Sequence, residues 1–150
     1  MQTQKYGYGC GLYAVANAFD LESFVTEERL ELSKKGVHNG ELSKYMQEDG
    51  HNIFIEVLYC NTFESKLPEE WVLLHVSGDI NYFPFLIQCM INEKYHLMGA
   101  KLYKDDTIEL FDSLKTEPLK CTLKEVNLMY EKVVALYGFN HFDSNEYVFF

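Results

Sequence analysis

The chain reads as an α+β fold in which N-terminal helices pack on a C-terminal antiparallel sheet. Three observations predict it. Apolar residues over the first fifty positions recur at helical spacing, whereas from residue 53 onward the apolar runs are short and rich in β-branched and aromatic residues. Short polar turns then separate three of those runs at hairpin spacing. A length of 150 residues suits one domain, 1–150, with no repeat, low-complexity tract or linker to divide it.

The first helix is predicted from about residue 10 to 21, because Leu12, Val15, Ala16 and Phe19 form one apolar stripe. Thr26 caps a second helix with Glu27 and Glu28 in its first turn, and Lys34, Lys35 and Gly36 close it. A third helix runs from Asn39 through Leu42, Tyr45 and Met46 and stops at Gly50. Ile53–Tyr59 is the first strand and Trp71–Val76 a second, followed by a Ser77-Gly78-Asp79 turn. Phe85–Ile91, Tyr95–Tyr103 and Thr107–Asp112 follow as an antiparallel meander joined at Asn92-Glu93-Lys94 and Lys104-Asp105-Asp106. Thr122-Leu123-Lys124-Glu125 has the form of a capping box, and Val126, Met129, Val133, Val134 and Tyr137 continue it as a helix ended by Gly138. Glu146–Phe150 is a last strand.

A composition of 47% hydrophobic residues is globular, and a formal net charge of -10 argues against a nucleic-acid partner while allowing a basic protein substrate. The N-terminal Met1-Gln2-Thr3-Gln4 has neither a basic segment nor an apolar core, and no run reaches membrane-spanning length. A cytoplasmic location with no membrane partner is expected. Cys10, Cys60, Cys89 and Cys121 form no CxxC pair and lie too far apart for a zinc knuckle, so we expect free thiols, no metal and no cofactor.

Chemistry concentrates in Gln4–Phe19, where a loop of glycines and tyrosines runs into a helix with Cys10 at the junction. A thiol there sits beside unsatisfied backbone N–H groups and the positive end of the helix dipole, both of which favour thiolate. Two roles fit Cys10 by itself: a nucleophile, or a small buried residue at the start of a core helix. A cysteine nucleophile needs a base, and the base needs a third group to orient it.

Five histidines compete for the role of base. His38 and His51 flank the third helix in polar surroundings, His75 lies in an apolar strand, and His141 lies in an Asn-His-Phe-Asp loop. His96 opens a strand and Asp112 closes the next one, nearly equidistant from the intervening turn, which makes them cross-strand neighbours and an Asp–His pair. A surface histidine near a turn-initiating aspartate is the alternative. Gln4 lies six residues before Cys10, where its amide N–H can serve a tetrahedral oxyanion together with the Cys10 backbone N–H. One such donor is worth about 3 kcal/mol in the transition state. Gln2 is the alternative donor.

Gln4, Cys10-Gly11 with its Ala-rich helix, and His96 followed by Asp112 resemble the papain-like cysteine peptidases in order throughout. Within that group they look most like the bacteriocin leader-processing peptidases that cut after a double glycine, with the Josephin deubiquitinases also similar. The resemblance implies a papain-like fold and a peptidase or isopeptidase acting on a peptide or protein. It implies Cys10 as nucleophile, His96 as general base and then acid, Asp112 as orienting residue and Gln4 as oxyanion donor. Tyr6, Leu12 and Ser113 depart from the leader-peptidase pattern, which has Asp or Asn, Pro and Pro at those places. A compact chain of this kind fits a phage or other virus, a toxin–immunity locus or a secreted effector alike. A non-catalytic protein-binding module on the same fold is the second expectation, with Tyr6, Tyr8 and Tyr13 as contact residues. A redox thiol protein is the third.

Overall fold

The computed structural model describes residues 1–51, 53–60, 82–103, 105, 107–122, 124–126, 132–143 and 146–147; the side chains of 54, 56–60, 132–143 and 146–147 lie outside that description. Within it the chain is α+β, with three N-terminal helices and an antiparallel sheet. The helices are α1 (Cys10–Phe19), α2 (Glu27–Leu32) and α3 (Asn39–Glu48). The strands are β1 (Ile53–Cys60), β2 (Tyr82–Ile91), β3 (Lys94–Tyr103), β4 (Ile108–Phe111), β5 (Leu119–Cys121), β6 (Lys132–Asp143) and β7 (Glu146–Tyr147). Their spatial order is β1-β6-β2-β3-β4-β5, with β7 paired to β6. The expected Trp71–Val76 strand, the turn after it and residues 148–150 fall outside the described residues.

The helices start where their capping chemistry dictates. The Thr26 hydroxyl accepts the Arg29 N–H at 3.1 Å to begin α2, and His38 accepts the Gly40 N–H at 3.2 Å to begin α3. Each helix is then tied to a neighbour by a buried polar contact. The Arg29 guanidinium forks onto Asp49 at 2.8 and 2.7 Å and stacks over Phe24 and Tyr45, which fixes α2 against the end of α3. Asn39 donates to the Ile55 carbonyl at 3.0 Å while the Ser43 hydroxyl accepts the Ile55 N–H at 2.9 Å, so α3 is stitched to β1.

The central helix α1 is held on β3 at both levels, packing and charge. A Cβ at Gly99 would drive into the Ala14 carbonyl oxygen, so glycine lets the helix backbone lie directly on the strand. Leu12, Val15, Ala16, Leu42 and Met46 fill the layer between helices and sheet together with Leu86 and Ile55. At the far end of α1 the Asp20 carboxylate accepts from Lys101 Nζ at 2.8 and 2.7 Å and from the Tyr82 hydroxyl at 2.6 Å. Lys101 is itself buried, and its charge sits 4.3 Å from the centre of the Tyr82 ring. The other sheet face carries a second cluster of Phe83, Phe85, Ile87, Met98, Leu110 and Val126.

From Lys132 onward, strand β6 overturns the helix expected to run from the Thr122–Glu125 capping box to Gly138. The capping box is real, since Thr122 and Glu125 exchange hydrogen bonds at 3.2 and 3.3 Å, and residues 124–126 are helical, while residues 127–131 lie outside the described residues. From Lys132 the chain is extended between β1 and β2. The physical reason is that Val133-Val134-Ala135-Leu136-Tyr137 is β-branched and aromatic, and a strand at the centre of a sheet can be apolar on successive residues. The same strand takes up His141, which is therefore in β6 and not in a loop.

Candidate active site

Cys10 opens α1, and Gly9 is what frees the helix start. Gly9 is the N-cap in the left-handed region, φ 89 and ψ 11, with no side chain to occupy the first N–H groups, while its carbonyl receives Leu12 and Tyr13. The backbone N–H groups of Gly11 and of Leu97 in β3 act on the Cys10 thiol and lower it. Backbone donors beside a sulfur at a helix N-terminus favour its thiolate form.

The His96 ring meets the Asp112 carboxylate, Nε2 to Oδ1 at 2.8 Å, and interacts with the Cys10 thiol. Nε2 is committed to the carboxylate, which leaves Nδ1 as the ring nitrogen for the thiol. Both His96 and Asp112 are buried. Asp112 Oδ1 also accepts the Leu114 N–H at 3.0 Å, and the Asp112 carbonyl accepts the Lys115 N–H at 2.9 Å, so the carboxylate is the first residue of a tight turn.

The sequence makes His96 and Asp112 cross-strand neighbours, nearly equidistant from the turn; the register places them on a diagonal. Gly99 pairs with Phe111, so Asp112 falls opposite Met98, two residues along β3 from His96 and on the same face. The ladder is symmetric about residue 105, one residue later than the midpoint of 96 and 112. A histidine side chain spans that diagonal, and the residue that truly faces His96 is Cys89 on β2.

Charge follows geometry. Burial, the largest single effect on His96, favours the neutral ring, but the hydrogen bonds to Asp112 and Cys10 and their charges together raise it to about 9. Burial is also the largest effect on Cys10 and raises it; the His96 hydrogen bond, the Leu97 N–H, the His96 charge and the Gly11 N–H outweigh it and bring the thiol below its ordinary 9.0. Both directions favour a thiolate–imidazolium pair. The other described thiols move the opposite way: burial, with Asp112 and Cys10, lifts Cys89 to about 12, and burial with Glu125 lifts Cys121 to about 11. Cys10, Cys89 and Cys121 are all free.

Cys10 and His96 lie on a cleft of about 460 Å³. Tyr8 and Tyr95 stand on its rim, Val37, Leu42, Ile55 and Leu86 give it apolar wall, and Ser33, His38, Asn39 and Gln88 contribute polar atoms. Much of that wall comes from the α2–α3 connection, which no pattern in the sequence brings to Cys10. Tyr6 stacks on Tyr8 with ring centres 5.1 Å apart, and Tyr95 is two-thirds exposed. Tyr13, by contrast, is buried and takes the Lys5 N–H on its hydroxyl at 3.4 Å.

Gln4 is brought to the Asp112 side of the site but is not one of the residues lining the cleft. Its N–H donates to the Ser113 carbonyl at 2.6 Å and its Oε1 accepts from the Ser113 hydroxyl at 2.9 Å. Gln2 is excluded as the alternative donor, because its backbone is bonded to Asn17 and its side-chain amide donates to the Glu22 carbonyl at 3.2 Å, near the far end of α1. His38 is largely exposed and paired with Glu41 at 2.9 Å. His75 and the His141 side chain are outside the described residues.

Among the described residues no group of three His, Cys, Asp or Glu side chains could hold a metal ion, and no helix is long and apolar enough to cross a membrane. No protein-family model matches the chain, and no curated protein matches its sequence.

Proposed function

We propose that the chain is a papain-like cysteine peptidase or isopeptidase, a thiol acyl-transfer enzyme acting on a peptide or protein. The observation that carries the reading is that Cys10 and His96 line one cleft and interact, while His96 Nε2 meets the buried Asp112 carboxylate at 2.8 Å. A nucleophile, a base within direct reach and a buried orienting carboxylate are the parts that covalent acyl transfer requires.

Chemistry follows from the charges. The Cys10 thiolate attacks the substrate carbonyl carbon, and the C=O electron pair moves onto oxygen to give a tetrahedral oxyanion. The Cys10 backbone N–H and the Gln4 carboxamide NH2 stabilise that oxygen. As the C–N bond breaks, the His96 imidazolium gives its proton to the leaving nitrogen and a thioester remains on Cys10. Neutral His96 then takes a proton from water as the water attacks the thioester, and collapse of that second intermediate releases the acid and restores the thiolate–imidazolium pair. Asp112 keeps the ring turned so that Nδ1 meets the sulfur, and favours the imidazolium while the pair is charged.

Incubation with a complex peptide mixture, read by mass spectrometry for new termini, tests the reading. Cleavage products present with the wild type and absent with Cys10→Ala are expected. Identical product lists from the two proteins contradict it and leave the protein-binding module, for which the exposed Tyr6 and Tyr95 beside the cleft supply contact area.

A further inference from the structure

We infer that Ser113 and Asn17 are positioning residues that hold Gln2–Gln4 as a strap between the later part of α1 and the Asp112 turn and thereby orient the Gln4 carboxamide. The inference rests on the acyl-transfer reading and extends it to residues that touch neither thiol nor imidazole.

Ser113 is almost fully buried and meets Gln4 twice, at its carbonyl and at its hydroxyl. A hydroxyl has one proton to give. Given to Oε1, it fixes the carboxamide so that oxygen faces the turn and the NH2 end is the one Ser113 does not engage. That is the polarity an oxyanion needs, since a reversed amide would present a second oxygen to a developing negative charge. The turn bearing Ser113 is the turn that Asp112 opens, so one short segment sets both the ring of His96 and the amide of Gln4.

The far end of the strap is Asn17, seven residues after Cys10 along α1. Its Oδ1 accepts the Gln2 N–H at 2.6 Å and its Nδ2 donates to the Gln2 carbonyl at 3.0 Å, a two-point bond of the kind one strand makes with another. Asparagine is a poor residue for a helix interior, and a buried amide is costly unless bonded. Asn17 is nevertheless 4% exposed within α1, and both of its amide atoms are spent on holding residue 2. Between the ends, the Thr3 hydroxyl donates to the Lys115 carbonyl at 3.3 Å. The strap is thus bonded at Gln2 to the helix that carries Cys10, and at Thr3 and Gln4 to the turn that carries Asp112.

Hydrolysis of p-nitrophenyl acetate, corrected for the Cys10→Ala rate, tests the assignment against alkylation of Cys10 by iodoacetamide, which forms no oxyanion. Ser113→Ala is expected to lower kcat roughly tenfold to a hundredfold with KM unchanged, because a small misplacement of a donor costs that much. Ser113→Thr keeps the hydroxyl and retains the rate. Asn17→Ala lowers kcat less, and neither substitution lowers it further in a Gln4→Ala background. Alkylation stays close to the wild-type rate in every variant.

Equal losses with and without Gln4, or a parallel fall in alkylation, would make Ser113 and Asn17 merely structural and overturn the inference. An unchanged kcat in Ser113→Ala overturns it too, while leaving the enzyme reading intact. If the wild type is no faster than Cys10→Ala, the enzyme reading fails and takes the strap with it. Should Ser113→Ala not fold, Asn17→Ala with and without Gln4→Ala decides by the same comparison.

Discussion

Replacing Asp112 by Asn removes a charge from the buried end of the His96 ring while keeping the shape of the side chain. In the wild type the imidazole stands at about 9 against its ordinary 6.5. At 1.36 kcal/mol per pH unit, the imidazolium is favoured by about 3 kcal/mol after burial has taken its share. Two neighbours supply that preference, Asp112 and Cys10, and the neutral amide would leave Cys10 nearly alone against desolvation. The titration of His96 is therefore expected to fall by roughly one to two pH units in Asp112→Asn, the usual effect of one close opposite charge.

The sign is fixed by the direction of the shift: the imidazolium is present below about 9 and is lost as pH rises through that value. In the variant it is lost earlier. Because His96 is one of the groups that lower Cys10, the thiolate then forms at higher pH, and the window in which both charges coexist narrows from both sides. Proton–carbon correlation NMR of the His96 ring from acid to alkaline pH reads the first effect, and the pH dependence of iodoacetamide alkylation of Cys10 reads the second. A His96 that titrates near its ordinary 6.5 in both proteins would refute the reasoning, since it would mean that neither Asp112 nor Cys10 acts on the ring.

Two further perturbations address the scaffold. Gly9→Ala forces an L side chain to φ 89 and puts its Cβ 2.7 Å from Leu30 Cδ2, so urea denaturation is expected to show a loss of about 1–3 kcal/mol, together with slower Cys10 alkylation as the helix start shifts. Arg29→Ala breaks the buried fork onto Asp49 and the stacking on Phe24 and Tyr45, at a cost of about 2–4 kcal/mol after allowing for the partial exposure of Asp49. The Arg29 hydrogen bond, the largest effect, holds the Asp49 carboxyl below 3.8, so its contribution is complete above 3.8 and disappears as pH falls through the native value. Denaturation of wild type and Arg29→Ala at strongly acid and at neutral pH should thus show a smaller difference in acid.

What was legible in the sequence was local. Thr26, the Asn39 start and the Leu12–Phe19 stripe locate the helices because caps and apolar periodicity are properties of neighbouring residues. The β2–β3–β4 meander is legible for the same reason, and with it the nearness of His96 and Asp112, whose exact diagonal offset is set by the register. Strand β6 was not legible. Its pairing partners lie more than forty residues away at Leu86–Met90 and about eighty away at Ile53–Cys60, and the apolar run Val133–Tyr137 has no alternation to distinguish a strand from a helix. The α2–α3 wall of the cleft and the Ser113 contact to Gln4, 109 residues apart, are invisible for that reason too. The one hint was Ser113 itself, a hydroxyl directly after Asp112.

Limited alkylation tests most directly whether His96 holds Cys10 as a thiolate. The native protein is treated with a small excess of iodoacetamide at mildly acid pH, and each cysteine is quantified by peptide mass spectrometry in the wild type and in His96→Ala. The account predicts that Cys10 is modified well ahead of Cys89 and Cys121 and faster than a free cysteine, and that His96→Ala abolishes the advantage. A Cys10 that reacts no faster than free cysteine in the wild type, or equally fast without His96, contradicts it.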